Sequence, residues 1–145
     1  MSNAVSNTIS YQLAQLCRAQ RGVVGELLSQ CDLRVGQEML LLQLWDQDGQ
    51  TQSALAEQLC VQPATVTVVL RRMEKAGLIQ RRKDAQDQRV SRVFLTENGR
   101  NLQETVCNVW QTLERHMTAD VTAEERQQLL QLLAKIQQNL QTKPD

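Results

Sequence analysis

A mainly helical fold carrying one small β-hairpin is predicted for this 145-residue chain by three features. Apolar residues recur at helical intervals through most of its length. Two helical segments meet around Pro63, and two strand-like runs separated by a polar turn come directly after them. The order helix, turn, helix, hairpin is that of a winged helix-turn-helix, and longer helices lie before and after it.

Ile9, Leu13, Leu16, Val23 or Val24, and Leu27 mark one stripe of a long first helix, weakened at Gly22 and Gly25 by about 1 kcal/mol each relative to Ala. From Val35 to Trp45 the run Met39, Leu40, Leu41, Leu42, Leu44 and Trp45 is too continuous for a one-sided helix, so burial on several faces is expected. Asp46-Gln47-Asp48-Gly49 ends it, and Thr51 or Ser53 can cap the next helix.

Leu55, Leu59 and Val61, then Pro63, then Val66, Val69, Leu70 and Met73 give the two helices of the central pair. The second begins at Gln62 or Pro63, since proline's fixed φ and missing donor suit a first helical position. Gly77 fits a left-handed helix end, and the runs Leu78 to Lys83 and Arg89 to Leu95 form the hairpin. After Thr96 as a further N-cap, Val106, Val109 or Trp110, Leu113 and Met117 stripe one helix, and Leu129, Leu132, Leu133, Ile136 and Leu140 stripe another.

One domain over residues 1–145 is expected, with a lobe at about 35–99 and dimerisation helices at about 8–30 and 100–141. The terminal stripes are more apolar surface than so small a lobe can cover. A second copy would cover it, and a monomer whose helices pack on each other is the alternative.

With 41% hydrophobic and 22% charged residues, the composition is that of an ordinary globular chain. No apolar run approaches the roughly 20 residues of a membrane span, and Met1 to Thr8 lacks the features of a signal peptide, so a cytoplasmic location is expected. Cys17, Cys31, Cys60 and Cys107 are irregularly spaced, which points to reduced, buried thiols and to neither a zinc site nor a disulfide scaffold.

The net charge is zero, yet residues 71–92 hold eight basic side chains against three acidic ones, +5, which leaves −5 on the rest. A basic segment on an acidic body suits contact with phosphates through one surface only. On the second central helix, commitment of Val66, Val69, Leu70 and Met73 to the core leaves Ala64, Thr65, Val68, Arg71, Arg72 and Lys75 outward, with Gln62 and Thr67 beside them. Thr and Val can touch thymine methyl groups in a major groove, and Arg can reach guanine or the backbone. Double-stranded DNA is the partner this pattern implies. Arg82 and Arg92 join these as candidate DNA contacts, and the pattern does not divide phosphate contacts from solvated charges.

The strings Leu55-Ala56-Glu57-Gln58-Leu59, Ala64-Thr65-Val66-Thr67, Met73-Glu74-Lys75-Ala76-Gly77-Leu78-Ile79, and Asp87-x-Arg89 before Leu95-Thr96-x-x-Gly99 resemble, in order and spacing, the MarR family of bacterial transcriptional regulators. The resemblance implies a homodimer with two winged lobes that binds near-palindromic promoter DNA, often as a repressor and often released by a small aromatic effector. It implies Arg89 in the minor groove and Asp87 structuring the wing by pairing with an arginine. An Asp87–Arg89 pair across the turn is the alternative. Many members carry a basic residue where Val68 stands, which leaves the base preference open. A winged-helix protein-interaction module without DNA function is the competing reading.

Other chemistry is not indicated. His116, the one histidine, has no ligand-spaced partner, so no metal is expected, nor is a catalytic triad, a phosphate-cradling loop or a cofactor. An enzyme is not expected. Some branches of the family sense hydroperoxide, but their reactive Cys and helper tyrosines would fall on Ser10, Ala14 and Val24; Cys17, near Arg18 and Arg21, is the redox candidate left. Trp45 and Trp110 are candidates for a ligand cleft, with a place in the core as the equal alternative.

Overall fold

Helix caps set the frame of the chain in the computed structural model, which describes residues 2–142. The order is α1 (Ser2–Ser6), α2 (Ile9–Ser29), α3 (Gln37–Asp46), β1 (Gln50–Thr51), α4 (Gln52–Gln58), α5 (Pro63–Lys75), β2 (Ile79–Lys83), β3 (Ser91–Leu95), α6 (Glu97–Asn101), α7 (Gln103–Met117) and α8 (Ala123–Gln141). No single helix among the described residues is long and apolar enough to cross a membrane. The chain forms two compact units, one running to Trp110 and the other beginning at Gln111.

In the first unit, the Thr8 hydroxyl accepts from the Tyr11 N–H and starts α2. The helix runs unbroken through both glycines. Gly25 permits a close approach, because a Cβ there would stand 3.2 Å from Val35 Cγ2. Only Val24 and Leu28 of α2 are fully buried; Leu13 and Leu27 are half-buried, and Ile9 and Leu16 are exposed, so the expected stripe is inward only at its C-terminal end. The central helix starts at Gln37, two residues after Val35, and buries Leu40, Leu41 and Leu44 as its continuous apolar run requires.

Its first turn also buries Gln37 and Glu38, which the apolar pattern does not reveal. Both have partners. The Gln37 side-chain oxygen accepts from Arg34 N at 3.0 Å, and a Glu38 carboxylate oxygen accepts from Gly36 N at 2.7 Å. Burial nevertheless outweighs that bond and the nearby Arg21 charge, and raises the Glu38 carboxyl above its usual value.

Thr51 caps α4 by accepting from Ala54 N at 3.1 Å, and α4 and α5 meet at 116°, an ordinary helix-turn-helix angle. Cys60, at φ 52°, makes the left-handed step that ends α4, and Gly77, at φ 72°, makes the same step after α5. Leu55, Val66, Leu70 and Met73 are buried. Leu59 and Val69 are half-buried and Val61 is exposed, so the core face of the pair is narrower than the spacing suggests.

The expected hairpin forms, with β2 starting at Ile79 and β3 at Ser91, and the short strand β1 adds to it in the antiparallel order β1-β3-β2. Two residues are too few for an alternating pattern to announce such a strand. Ile79 pairs with Leu95 and Arg81 with Val93; this face buries Ile79, Val93 and Leu95. Thr96 accepts from Gly99 N at 3.1 Å and caps the short α6. Gly99 is required there. A Cβ would lie 2.1 Å from the Leu78 carbonyl oxygen.

Val106 and Val109 of α7 are buried, as is Leu113, whereas Met117 is exposed. In the second unit α8 begins with a capping box. The Thr122 hydroxyl accepts from Glu125 N and a Glu125 carboxylate oxygen accepts from Thr122 N. Within the single chain α8 buries no residue, and Leu129, Leu130, Leu132, Leu133 and Leu140 stand exposed.

Candidate nucleic-acid interface

Helix α5 starts as proline chemistry dictates, with Pro63 in its first turn and Gln62 as an N-cap whose side chain makes no capping bond. Gln62, Ala64, Thr65, Val68, Arg71, Arg72 and Lys75 are all exposed, Val68 at 46%. Val68 is an apolar side chain left in water beside two arginines. Neither Arg71 nor Arg72 has an ion pair or side-chain hydrogen bond among the described residues.

Thr67 stands apart from this group. It is half-buried, its hydroxyl donates to the Pro63 carbonyl at 3.0 Å, and it accepts a short hydrogen bond from the Gln52 side-chain amide.

The hairpin sorts its cations by strand register. On one face Arg82 pairs directly with Arg92 and Gln80 with Phe94. Two like charges opposite each other repel, unless each finds its own partner. Arg92 turns to Asp84, forming a short ion pair through Nε, and its Nη1 donates to the Gly49 carbonyl at 2.9 Å. Arg82 lies over the Phe94 ring, 5.1 Å from its centroid, and remains exposed. On the other face Arg81 donates from Nη2 to Glu74 of α5 at 2.8 Å, which lowers the Glu74 carboxyl and ties β2 to α5.

Arg92, expected among the DNA contacts, is held within the fold by Asp84 and the Gly49 carbonyl. Its role was hidden because its partners lie eight and 43 residues away.

At the tip, Asp84 does what was expected of Asp87. Its Oδ1 accepts from Gln86 N at 2.8 Å and from Asp87 N at 3.1 Å, while Oδ2 holds Arg92. The Arg92 hydrogen bond first, then the two N–H groups, bring the Asp84 carboxyl from the usual 3.8 down to about 2. Among the described residues Asp87 pairs with no arginine side chain; its Oδ1 accepts from the Arg89 backbone N–H at 2.9 Å. Both pairings expected of Asp87 are therefore replaced by a backbone cap. The Arg89 guanidinium projects exposed, with no partner among the described residues.

Asp84 and Arg92 share one sheet face by strand parity. That parity was the available signal for the pair.

A second carboxylate braces the hairpin's base. Asp48 Oδ1 accepts from Leu95 N at 2.9 Å and Oδ2 from Arg100 at 2.7 Å. The Trp45 indole N–H donates to the Gly99 carbonyl at 3.1 Å, so this ring anchors α3 to α6. The Trp110 indole N–H is buried and has no partner among the described residues. Cys17, Cys60 and Cys107 are exposed and Cys31 half-buried, which corrects the expectation of buried thiols. Among the described residues no group of three or more His, Cys, Asp or Glu is placed to hold a metal ion.

A helix pair at 116°, an outward face on its second helix and a braced basic hairpin define the class of winged helix-turn-helix proteins. The MarR family model matches residues 33–91. The chain is 34% identical over 101 residues to the uncharacterized HTH-type transcriptional regulator YdgJ of Bacillus subtilis (strain 168), a match covering 70% of this chain and 62% of that protein. Less than two thirds of YdgJ is therefore spanned. The organic hydroperoxide resistance transcriptional regulator of the same strain is 30% identical over 105 residues, covering 72% of this chain and 71% of the relative. Among solved structures, MepR of S. aureus, in a complex with DNA, is 30% identical with a TM-score of 0.83 over 91% of this chain and 98% of that one. The chain belongs to the MarR family.

Proposed function

We propose that this chain regulates transcription by binding duplex DNA as a homodimer. In this reading α5 enters the major groove, Arg89 enters the adjacent minor groove, and the dimer represses from a near-palindromic promoter site. The observation that carries it is the sorting of charge within residues 71–92. Arg81 and Arg92 are neutralised by Glu74 and Asp84, whereas Arg71, Arg72, Lys75, Arg82, Lys83 and Arg89 stay exposed without a carboxylate partner among the described residues. Left unpaired on one lobe, these cations fit phosphates and a minor groove narrowed by A·T pairs.

Relatives named as transcriptional regulators, and one neighbour in a DNA complex, support the same reading. Residues about 35–99 serve as the DNA-binding lobe and about 8–30 and 100–141 as the dimerisation helices. The exposed leucines of α8 supply the apolar surface for this pairing. The protein acts in the cytoplasm by binding alone. The reading includes release by a small aromatic effector, to which the buried Trp110 indole N–H, unpartnered among the described residues, would offer one hydrogen-bond donor.

Repeated selection of the purified chain on a pool of random duplexes tests the proposal. Enrichment of a two-fold-related motif is expected. A folded chain that enriches no sequence at any salt concentration overturns DNA reading in favour of a protein-interaction module.

A further inference from the structure

Thr67 and Gln52 are joined across the helix-turn-helix, although neither belongs to the buried core. Thr67 lies on α5, one residue before the exposed Val68, and Gln52 is the first residue of α4. The Gln52 amide donates to Thr67 Oγ1, and Thr67 Oγ1 donates to the Pro63 carbonyl at 3.0 Å. A hydroxyl has one proton, and here Pro63 takes it. Thr67 therefore has no O–H left for a base or phosphate unless this internal bond breaks. Pro63 lacks an N–H and Gln62 offers no side-chain cap, so the opening turn of α5 has few anchors of its own. The amide–hydroxyl–carbonyl chain fixes that turn to α4.

We infer that Gln52 and Thr67 are positioning residues, which set the register of the α5 reading face by hydrogen-bonding the opening turns of α4 and α5 and do not read bases themselves. This rests on the DNA-reading role proposed above. A helix held in place presents Thr65 and Val68 to one base step, while a helix free to rock contacts several. The pair therefore sharpens discrimination between sequences and leaves phosphate contacts unchanged.

The test uses the full chain, a duplex enriched from the random pool by the unmodified protein, and a scrambled duplex of the same composition. Thr67→Val keeps the branched shape and removes the hydroxyl; Gln52→Met keeps the length, adds no charge and removes the donor. Each is expected to lower discrimination between the two duplexes about fivefold, or ~1 kcal/mol, through looser binding of the enriched duplex. Affinity for the scrambled duplex and the salt slope should stay unchanged. The double variant should lose no more than either single one, and Thr67→Ser should restore discrimination.

Unchanged discrimination in Thr67→Val, or equal weakening on both duplexes with a shallower salt slope, overturns the inference while DNA reading stands. An intact chain that enriches no duplex overturns DNA reading, and the inference with it. Thermal unfolding of each variant separates loss of register from loss of fold: a variant that loses discrimination only in proportion to lost folded protein also counts against positioning.

Discussion

Arg89 and Val68 are both exposed, yet physical chemistry assigns them opposite duties. An unpartnered guanidinium on a braced tip contributes charge; an apolar side chain on a helix face contributes fit. Arg89→Ala should weaken binding to every duplex, most on A·T-rich flanks, and reduce the magnitude of the log–log salt slope by about one unit per half-site. Val68→Ala should keep the slope and lose about 1 kcal/mol of discrimination against a mismatched site. Fluorescence anisotropy across a salt series measures both, and an unchanged slope for Arg89→Ala removes the wing from the groove. Asp84 makes a separate prediction. Its carboxyl is held at about 2 in the fold against a usual 3.8, so its stabilising effect is present above pH about 4 and is lost as the pH falls towards 2. Asp84→Asn should unfold at a lower temperature than the parent at pH 7, and the gap should close across that window. Circular dichroism melts at several pH values read this directly, and a constant gap rejects the Arg92 ion pair as the cause.

At the scale of elements, two glycines inside helices make opposite predictions. Gly99 in α6 has the Leu78 carbonyl oxygen 2.1 Å from where a Cβ would stand, and that oxygen already accepts from Thr96 N at 3.0 Å. Gly99→Ala must push α6 away from the β2 end, at a cost of about 2–4 kcal/mol. Gly22 in α2 has nothing within 4 Å of its Cβ position. Gly22→Ala should stabilise by up to about 1 kcal/mol through helix propensity alone. Urea unfolding measures both; equal effects of the two substitutions contradict the close approach at α6. The motif around Gly99 was legible as a pattern, but its reason, a carbonyl 21 positions earlier, was not.

At the scale of the whole molecule, the exposed leucines of α8 and the exposed Ile9 and Leu16 of α2 supply apolar surface beyond what one chain covers. Sedimentation at micromolar concentration should give twice the chain mass, and removal of residues 124–145 should give monomer or aggregate. A stable soluble monomer of the intact chain rejects the dimer. Much of this architecture was readable beforehand, because helix periodicity, the caps at Thr51 and Thr96, the start at Pro63 and the left-handed step at Gly77 are short-range effects. The exposed residues of α5 were readable for the same reason. Once Val66, Leu70 and Met73 turn inward, helical geometry turns Ala64, Thr65, Val68 and Arg71 outward.

The class of fold, the outward face of α5 and the concentration of basic charge beside it could all be read from the linear chain, since each depends on neighbours within a few positions. Which of those charges are free depends on contacts between distant elements. Arg81 and Arg92 look like Arg82 and Arg89 in a linear reading, but strand register places Glu74 and Asp84 against the first two and leaves the others in water. The same holds for Thr67, withdrawn by Gln52 fifteen residues earlier, and for Glu38, buried by packing that its own helix pattern does not show. Pairing across strands and between helices depends on which elements pack together, and that packing is settled by the core.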